Sequence, residues 1–186
     1  MACDLTKGRK EPCKDVVGGI KNVYFVDFAD FTVVFDSTEK DVVQSIGTNV
    51  PSFKYELKRN SSLEQTVNSS RENGTTFYEQ TLNLTLKKLT KEDHKELKLM
   101  AYGRPHVVVE DYNKNLMIMG LENGADVSGG TIVTGAAMGD LSGYTLTLTG
   151  METMPANFIE KTAATEAVSV TLTNAGFATP TAGTNS

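Results

Sequence analysis

Apolar and charged residues alternate strictly in Phe53-Lys54-Tyr55-Glu56-Leu57-Lys58. Alternation of period two gives a strand one dry face and one wet face. A second alternating stretch places Tyr78, Leu82, Leu84 and Leu86 on one side and Glu79, Thr81, Asn83, Thr85 and Lys87 on the other. The residues between them, Asn60 to Gly74, are polar and end in Asn68-Ser69-Ser70-Arg71-Glu72-Asn73-Gly74. This pattern predicts a long β-hairpin over residues 52–87 with a polar, glycine-bearing tip. Two strands leave both outer edges unpaired, so the hairpin requires a further sheet, which a second copy of the chain can supply.

The flanking segments predict a mainly β fold with one short helix. Val23-Tyr24-Phe25-Val26-Asp27-Phe28 is apolar on both faces, as a buried strand is. Ala29-Asp30 is short enough for a tight turn into Phe31-Thr32-Val33-Val34-Phe35. Thr90, followed by Asp93 three residues later, is a helix start of the capping-box type. Leu97, Met100 and Ala101 share a helical face, and Gly103-Arg104-Pro105 ends the helix, giving residues 90–102. Val107-Val108-Val109 and Leu116-Met117-Ile118-Met119 return to strand around a turn at Asn113-Lys114. Glycine is dense from Gly120 to Gly143, which predicts turns and an irregular loop around Thr131-Ile132-Val133. Tyr144 to Thr149 alternates again, and Val168, Val170 and Leu172 predict one last strand. The chain divides into an extended arm (1–19), a β-sandwich or barrel domain (20–159) and an Ala/Thr-rich tail (160–186), disordered from Thr179.

Charge and chemistry narrow the function classes. Of 186 residues, 39% are hydrophobic and 22% charged, and the formal net charge is -5. An acidic chain with scattered Lys and Arg does not suit a protein that grips nucleic acid by neutralising phosphates. No basic-then-apolar leader and no apolar run of about 20 residues is present, which predicts a protein handled in a cytoplasm and away from membranes. Cys3 and Cys13 are then free thiols, and the sequons at Asn60, Asn68, Asn73 and Asn83 are ordinary polar positions. Neither a phosphate-binding glycine loop nor a Gly-x-Ser-x-Gly elbow occurs. His94 and His106 lie in no triad or metal motif. Glu110 and Asp111 are adjacent in a strand and point to opposite faces. Asp111, Asn113, Asn115 and Glu122 match calcium-loop positions, but Leu116 stands where that loop needs glycine. Met117 and Met119 read as packing residues. These readings predict a non-enzyme with no cofactor and no metal.

From about Phe53 to Ile159 the order of elements resembles the bacteriophage tail-tube family and its relatives in tail hubs and needle complexes. The resemblance is carried by the alternating segments Phe53–Leu86, the helix Thr90–Tyr102 and the strands around Val107–Met119 and Tyr144–Thr149. The leader, Cys3-Asp4-Leu5-Thr6-Lys7-Gly8-Arg9 with Cys13-Lys14-Asp15, is similar in style to structural proteins of gut Bacteroidota phages. The resemblance implies hexameric rings whose hairpins form a continuous inner barrel. Stacked rings would make a DNA conduit in a virion tail, assembled with other tail proteins in the host cytoplasm, and passing DNA without holding it. On that reading Phe53, Tyr55, Leu57, Tyr78, Leu82, Leu84 and Leu86 form the self-assembly face. Lys54, Glu56, Lys58, Glu79, Thr81, Asn83 and Thr85 face the lumen. The competing reading is an immunoglobulin-like or jelly-roll decoration or ligand-binding module on a capsid or cell surface.

Overall fold

Val23–Val26 and Val107–Val109 have no wet face because the sheet that contains them is covered on both sides. A computed structural model describes residues 8–11, 13–28, 33–39, 41–58, 60–161 and 168–182. In chain order the elements are β1 (Ile20–Val26), β2 (Val34–Phe35), β3 (Val42–Ser45), β4 (Phe53–Glu56), β5 (Ser62–Ser70), β6 (Thr75–Lys87), α1 (Lys91–Tyr102), β7 (His106–Asp111), β8 (Leu116–Met119), β9 (Asp126–Val133), β10 (Gly143–Glu152), β11 (Asn157–Ile159), α2 (Val168–Asn174) and β12 (Thr181–Ala182). They form two sheets, an eight-stranded one ordered β12-β4-β1-β7-β8-β11-β3-β2 and a four-stranded one ordered β5-β6-β10-β9. The fold is mainly β and sandwich-like, and the described strands close no barrel.

Strand periodicity sends neighbouring residues into two different cores. Val23 and Phe25 of β1, Val107 and Val109 of β7 and Met119 of β8 point between the sheets, against Leu82 and Leu84 of β6 and Leu148 of β10. Tyr24, Val26, Val108, Leu116 and Ile118 point the other way, into a second core closed by Ile46, Leu172, Ala175 and Phe177. Each buried aliphatic side chain contributes about 1.5–3 kcal/mol, so both faces of the large sheet are worth covering.

The second core is completed by the chain's C-terminal segment. Ile46 N donates to Ala175 O at 2.8 Å, Val50 N to Gly176 O at 2.9 Å, and Ala178 N to Val50 O at 2.7 Å. This segment then adds β12 in parallel beside β4. Gly176 sits at φ +97, and a Cβ there would run into the Gly47 carbonyl, so the strap passes only with glycine.

The α1 helix begins as the sequence predicts, with the Thr90 hydroxyl accepting from Asp93 N at 3.0 Å. It stops at Gly103, whose N–H returns to the Leu99 and Met100 carbonyls. Leu97 is buried and Met100 packs on the inter-sheet core, but Ala101 faces solvent. Tyr144 OH donates to Thr90 O at 3.1 Å and ties the helix start to β10.

Five expectations are corrected. Phe53–Glu56 does not pair with the Tyr78–Leu86 stretch; it pairs with β1 in the large sheet. The partner of β6 is β5, drawn from the segment read as a polar tip, so the hairpin spans residues 62–87 and turns at Arg71–Gly74. The glycine-rich region around Thr131–Val133 is strand β9. Val168–Leu172 is helical; Val168 and Leu172, four apart, meet the second core together. Within the predicted strand Phe31–Phe35 the described part is Val33–Phe35, and the Ala29-Asp30 turn lies outside the described residues; the tail expected to be disordered from Thr179 instead forms β12, with Thr181 N donating to Ser52 O at 2.9 Å, and 183–186 lie outside the described residues.

Candidate self-assembly surface

The four-stranded sheet sorts its side chains cleanly. Along β6, Leu82 and Leu84 are buried in the inter-sheet core, and Leu86 packs against its margin. Across from them stand Leu63 on β5 and Leu146, Leu148 and Tyr144 on β10. Tyr78 is half-buried opposite Val67 and Glu152. Gly143 fits because a Cβ there would collide with the Leu86 carbonyl.

The opposite face brings Glu79, Thr81, Asn83 and Thr85 together as predicted from their alternation. It adds residues the sequence reading did not assign to it: Ser62, Glu64 and Thr66 on β5, Thr145, Thr147 and Thr149 on β10, and Asp126, Ser128 and Thr131 on β9. Their hydroxyls bond one another. Thr131 and Thr145 are 2.6 Å apart, Thr147 donates to Asn83 Oδ1 at 3.0 Å, and Thr149 donates to Ser128 at 2.5 Å. Thr85 donates to Asn60 O at 3.0 Å. The charges in the body of this face are carboxylates, with Lys87 at one end.

The three predicted lumen residues from the first stretch are elsewhere. Lys54 and Glu56 lie on β4 and form an ion pair at 2.8 Å on the large sheet's other face, level with Tyr24 and Asn22. Lys54 holds the Glu56 carboxyl below the usual range, helped by Lys58 and Lys21. Lys58 is exposed in the connection beyond β4. Of the self-assembly set, Leu57 enters the same inter-sheet core as Leu82 and Leu84. Tyr55 meets Phe25 edge-on at 5.1 Å, and Phe53 remains 42% exposed. Phe53 and Tyr55 wall a cleft of about 310 Å³ beneath the end of α1, together with Phe25, Phe28, Leu99 and Met100. Burial, with the nearby Glu96 and Asp93 charges, pushes the Tyr55 hydroxyl up to about 12.

Both outer strands of the small sheet are long. β5 has nine residues and β9 has eight, and among the described residues each has one strand partner. The β5–β6 ribbon also runs past β10: Thr75, Thr76 and Phe77 pair with β5 alone. Val67, Phe77 and Met151 are exposed at this end.

The other candidate groups serve the fold. Glu110 is buried and accepts from Asn22 Nδ2 at 2.6 Å and Tyr24 OH at 2.8 Å, with Lys21 Nζ at 3.3 Å. Burial and this carboxylate raise the Tyr24 hydroxyl well above its ordinary value. Asp111 turns away from Glu110 and takes Asn115 N at 2.7 Å and Asn115 Nδ2 at 2.9 Å, closing the β7–β8 turn. His94 is exposed, whereas His106 is buried with Nδ1 against the Gly120 carbonyl at 2.5 Å and its ring stacked 4.9 Å from Phe28. Among the described residues no three His, Cys, Asp or Glu side chains gather as a metal site, and no helix is long and apolar enough to cross a membrane.

No protein-family model, curated protein or solved structure matches this chain.

Proposed function

We propose that the protein is a structural subunit that assembles with copies of itself into a ring, of the kind that builds a bacteriophage tail tube or hub. The observation that carries this reading is the small sheet, which combines a polar outer face with two long outer strands that, among the described residues, each have one strand partner. Exposed edges of that length invite further strands, and natural proteins cover, shorten or charge them unless pairing is their purpose. The sheet has four strands, an even number. A copy placed beside another by rotation about an axis along the strands therefore sets β9 of one against β5 of the next in antiparallel alignment. Repetition closes a barrel and removes every edge.

The polar face suits the inside of a conduit. Hydroxyls that bond one another offer few donors to a passing phosphate, and Glu64, Glu79 and Asp126 repel it. The exclusion of Lys54 and Lys58 from this face, a departure from the sequence reading, makes it less adhesive to DNA. Hexameric closure, a virion tail location and neighbouring tail proteins follow from the tail-tube reading. Sedimentation and mass photometry of the full chain at low and high concentration test it, followed by axial electron-microscope views of the particles. Closed rings with strand density at the inner wall are expected. A species that stays monomeric when concentrated sinks the reading and favours a decoration or ligand-binding module.

A further inference from the structure

We propose that Asn73, at the tip of the β5–β6 hairpin, is a self-modification site. Its side-chain amide is lost as ammonia through attack by the Gly74 nitrogen, which leaves isoaspartate in the turn. The proposal stands apart from the self-assembly reading and rests on the tip alone.

The chain contains Asn-Gly twice, both times within the tripeptide Glu-Asn-Gly, at Glu72–Gly74 and Glu122–Gly124. Local sequence therefore offers the two asparagines nearly the same chemistry. Glycine is the follower that least obstructs attack by its own nitrogen, because it carries no Cβ. What separates the two sites is the surrounding structure.

The second copy is clamped. Asn123 N donates to Glu152 Oε1 at 2.9 Å, and Asn123 Nδ2 donates to Met151 O at 2.9 Å. Gly124 N donates to Gly120 O at 3.2 Å, so the nitrogen that would attack is engaged. Gly124 is buried, and a Cβ on it would meet Arg104 O at 2.7 Å and the Phe28 ring at 3.0 Å. The rotation that carries a backbone nitrogen onto its neighbour's Cγ has no room there.

The tip is open. Asn73 and Gly74 are exposed, and apart from chain neighbours no heavy atom lies within 4 Å of where a Gly74 Cβ would stand. Asn73 N donates to Ser70 Oγ at 3.3 Å, but among the described residues no bond engages its side-chain amide or the Gly74 N–H. Thr75 and Thr76 pair with β5 alone, so few contacts resist a local opening of this end.

The chemistry needs only water. The Gly74 N–H gives up its proton to base, and the nitrogen bonds to Asn73 Cγ. The bond from Cγ to Nδ2 breaks, and that nitrogen takes a proton and leaves as ammonia. Water then opens the cyclic imide. Cleavage at the former side-chain carbonyl leaves aspartate; cleavage at the main-chain carbonyl leaves isoaspartate. Isoaspartate adds one carbon to the main chain of the turn and sets a new carboxylate beside Glu72. The Ser70–Thr75 and Ser69–Thr76 pairs next to the turn then lose their register, whereas β10 holds β6 from Tyr78 onward.

The test ages the purified full chain at mildly alkaline pH, folded and in urea, with fresh chain as the blank. Trypsin cuts after Arg71 and Lys87, which isolates Asn73 in Glu72–Lys87, and Asn123 falls in Asn115–Lys161. Mass spectrometry reads the conversion of amide to acid, and isoaspartyl methyltransferase reads the isoaspartate. In the folded chain Asn73 should convert at least about tenfold faster than Asn123, where the bonds of Nδ2 and Gly124 N must first break. In urea the two rates should converge. Asn73→Gln should remove the signal from its peptide, because glutamine closes a larger ring far more slowly. Hydrogen exchange of the aged chain should show protection lost at Thr75 and Thr76 and kept from Tyr78 onward. Asn73 that stays intact in the folded chain, equal folded rates at the two sites, a difference that persists in urea, or aspartate without isoaspartate overturns the proposal. Unchanged exchange at Thr75 and Thr76 overturns the loosening of the tip.

Discussion

Leu82 and Leu148 stand directly opposite each other on β6 and β10, and neither is exposed to solvent. One residue along, Asn83 and Thr147 stand opposite on the other face, joined side chain to side chain at 3.0 Å. A single step along the strand therefore separates the dry core from the wet face, and a charge is tolerated on one side only. Leu84→Asp places a carboxylate in the inter-sheet core with no partner. The expected loss of stability is about 3–5 kcal/mol, enough to unfold a marginal domain. Asn83→Asp, on an exposed side chain that keeps its acceptor oxygen for Thr147, should stay within about 0.5 kcal/mol of wild type. Urea unfolding followed by circular dichroism measures both, and equal effects at the two positions would contradict the facing of β6.

The same contrast explains which elements were legible from the sequence. β6 and β10 were readable because each has one dry face along the stretch where the two pair. β1 and β7 were readable as continuous apolar runs because both their faces are buried. Alternation reports facing but not partners, and Phe53–Glu56 alternates equally well as a neighbour of β1. β5 was taken for a loop because Leu63 and Val67 are its only apolar residues. Its inner face meets polar groups, with Gln65 Oε1 accepting from Ala156 N at 2.7 Å, and then overhangs the body. β9 was obscured by Gly129 and Gly130; at Gly130 a Cβ would strike the Thr145 carbonyl. The alternation of Val168, Val170 and Leu172 pointed to a strand, yet the four-residue spacing of Val168 and Leu172 places those two on one helical face toward the second core. Glu79, Thr81, Asn83 and Thr85 were legible on the polar face for the same reason that β6 was, and its residues on β5 and β9 were missed because those strands were hidden as loops.

Glu110 anchors β1 to β7 through bonds that are not independent. Tyr24→Phe removes one donor to a carboxylate that retains Asn22 and Lys21, and should cost about 1–2 kcal/mol. Glu110→Val leaves the Asn22 amide and Tyr24 hydroxyl without their acceptor and should cost about 3–5 kcal/mol. Adding Tyr24→Phe to Glu110→Val should then cost little or restore stability, because the orphaned hydroxyl is gone. Additive losses in the urea double-mutant cycle would show that the cluster does not act as a unit.

His106 sets a pH dependence whose sign follows from its burial. Desolvation holds its folded pKa below the ordinary 6.5, and the hydrogen bond to Gly120 offsets part of that. The unfolded chain therefore takes a proton first as the pH drops, so this contribution to stability is present above about pH 6.5 and is lost below it. Glu152 acts in the other direction. Burial raises its carboxyl above the ordinary 4.5, against the N–H groups of Asn123 and Glu122. Its contribution is fully present below that ordinary value and is lost as the pH rises through its folded pKa. On His106's account the urea midpoint of wild type should fall between about pH 7.5 and 5.5, with the raised Glu152 acting against that fall. His106→Asn should flatten that fall, and an undiminished slope in the variant would assign it to other groups.

The small sheet's outer face makes its own prediction about adhesion. Between Ser62 and Thr149 the charged side chains in the middle of that face are carboxylates, and its hydroxyls are engaged with one another. If this face lines a channel, assembled wild-type particles should not retain double-stranded DNA at low salt. Thr81→Lys with Thr147→Lys adds two cations per copy at diagonal positions of β6 and β10, repeated around the ring. Neither side chain enters the inter-sheet core, so folding and ring closure should persist. The variant particles should hold DNA, with log affinity falling linearly with log salt at a slope of about 0.9 per phosphate neutralised. Electrophoretic retention and a salt titration read this directly. Variant rings that form normally yet bind no DNA would mean that the polar face does not line the channel, even if the subunits form rings.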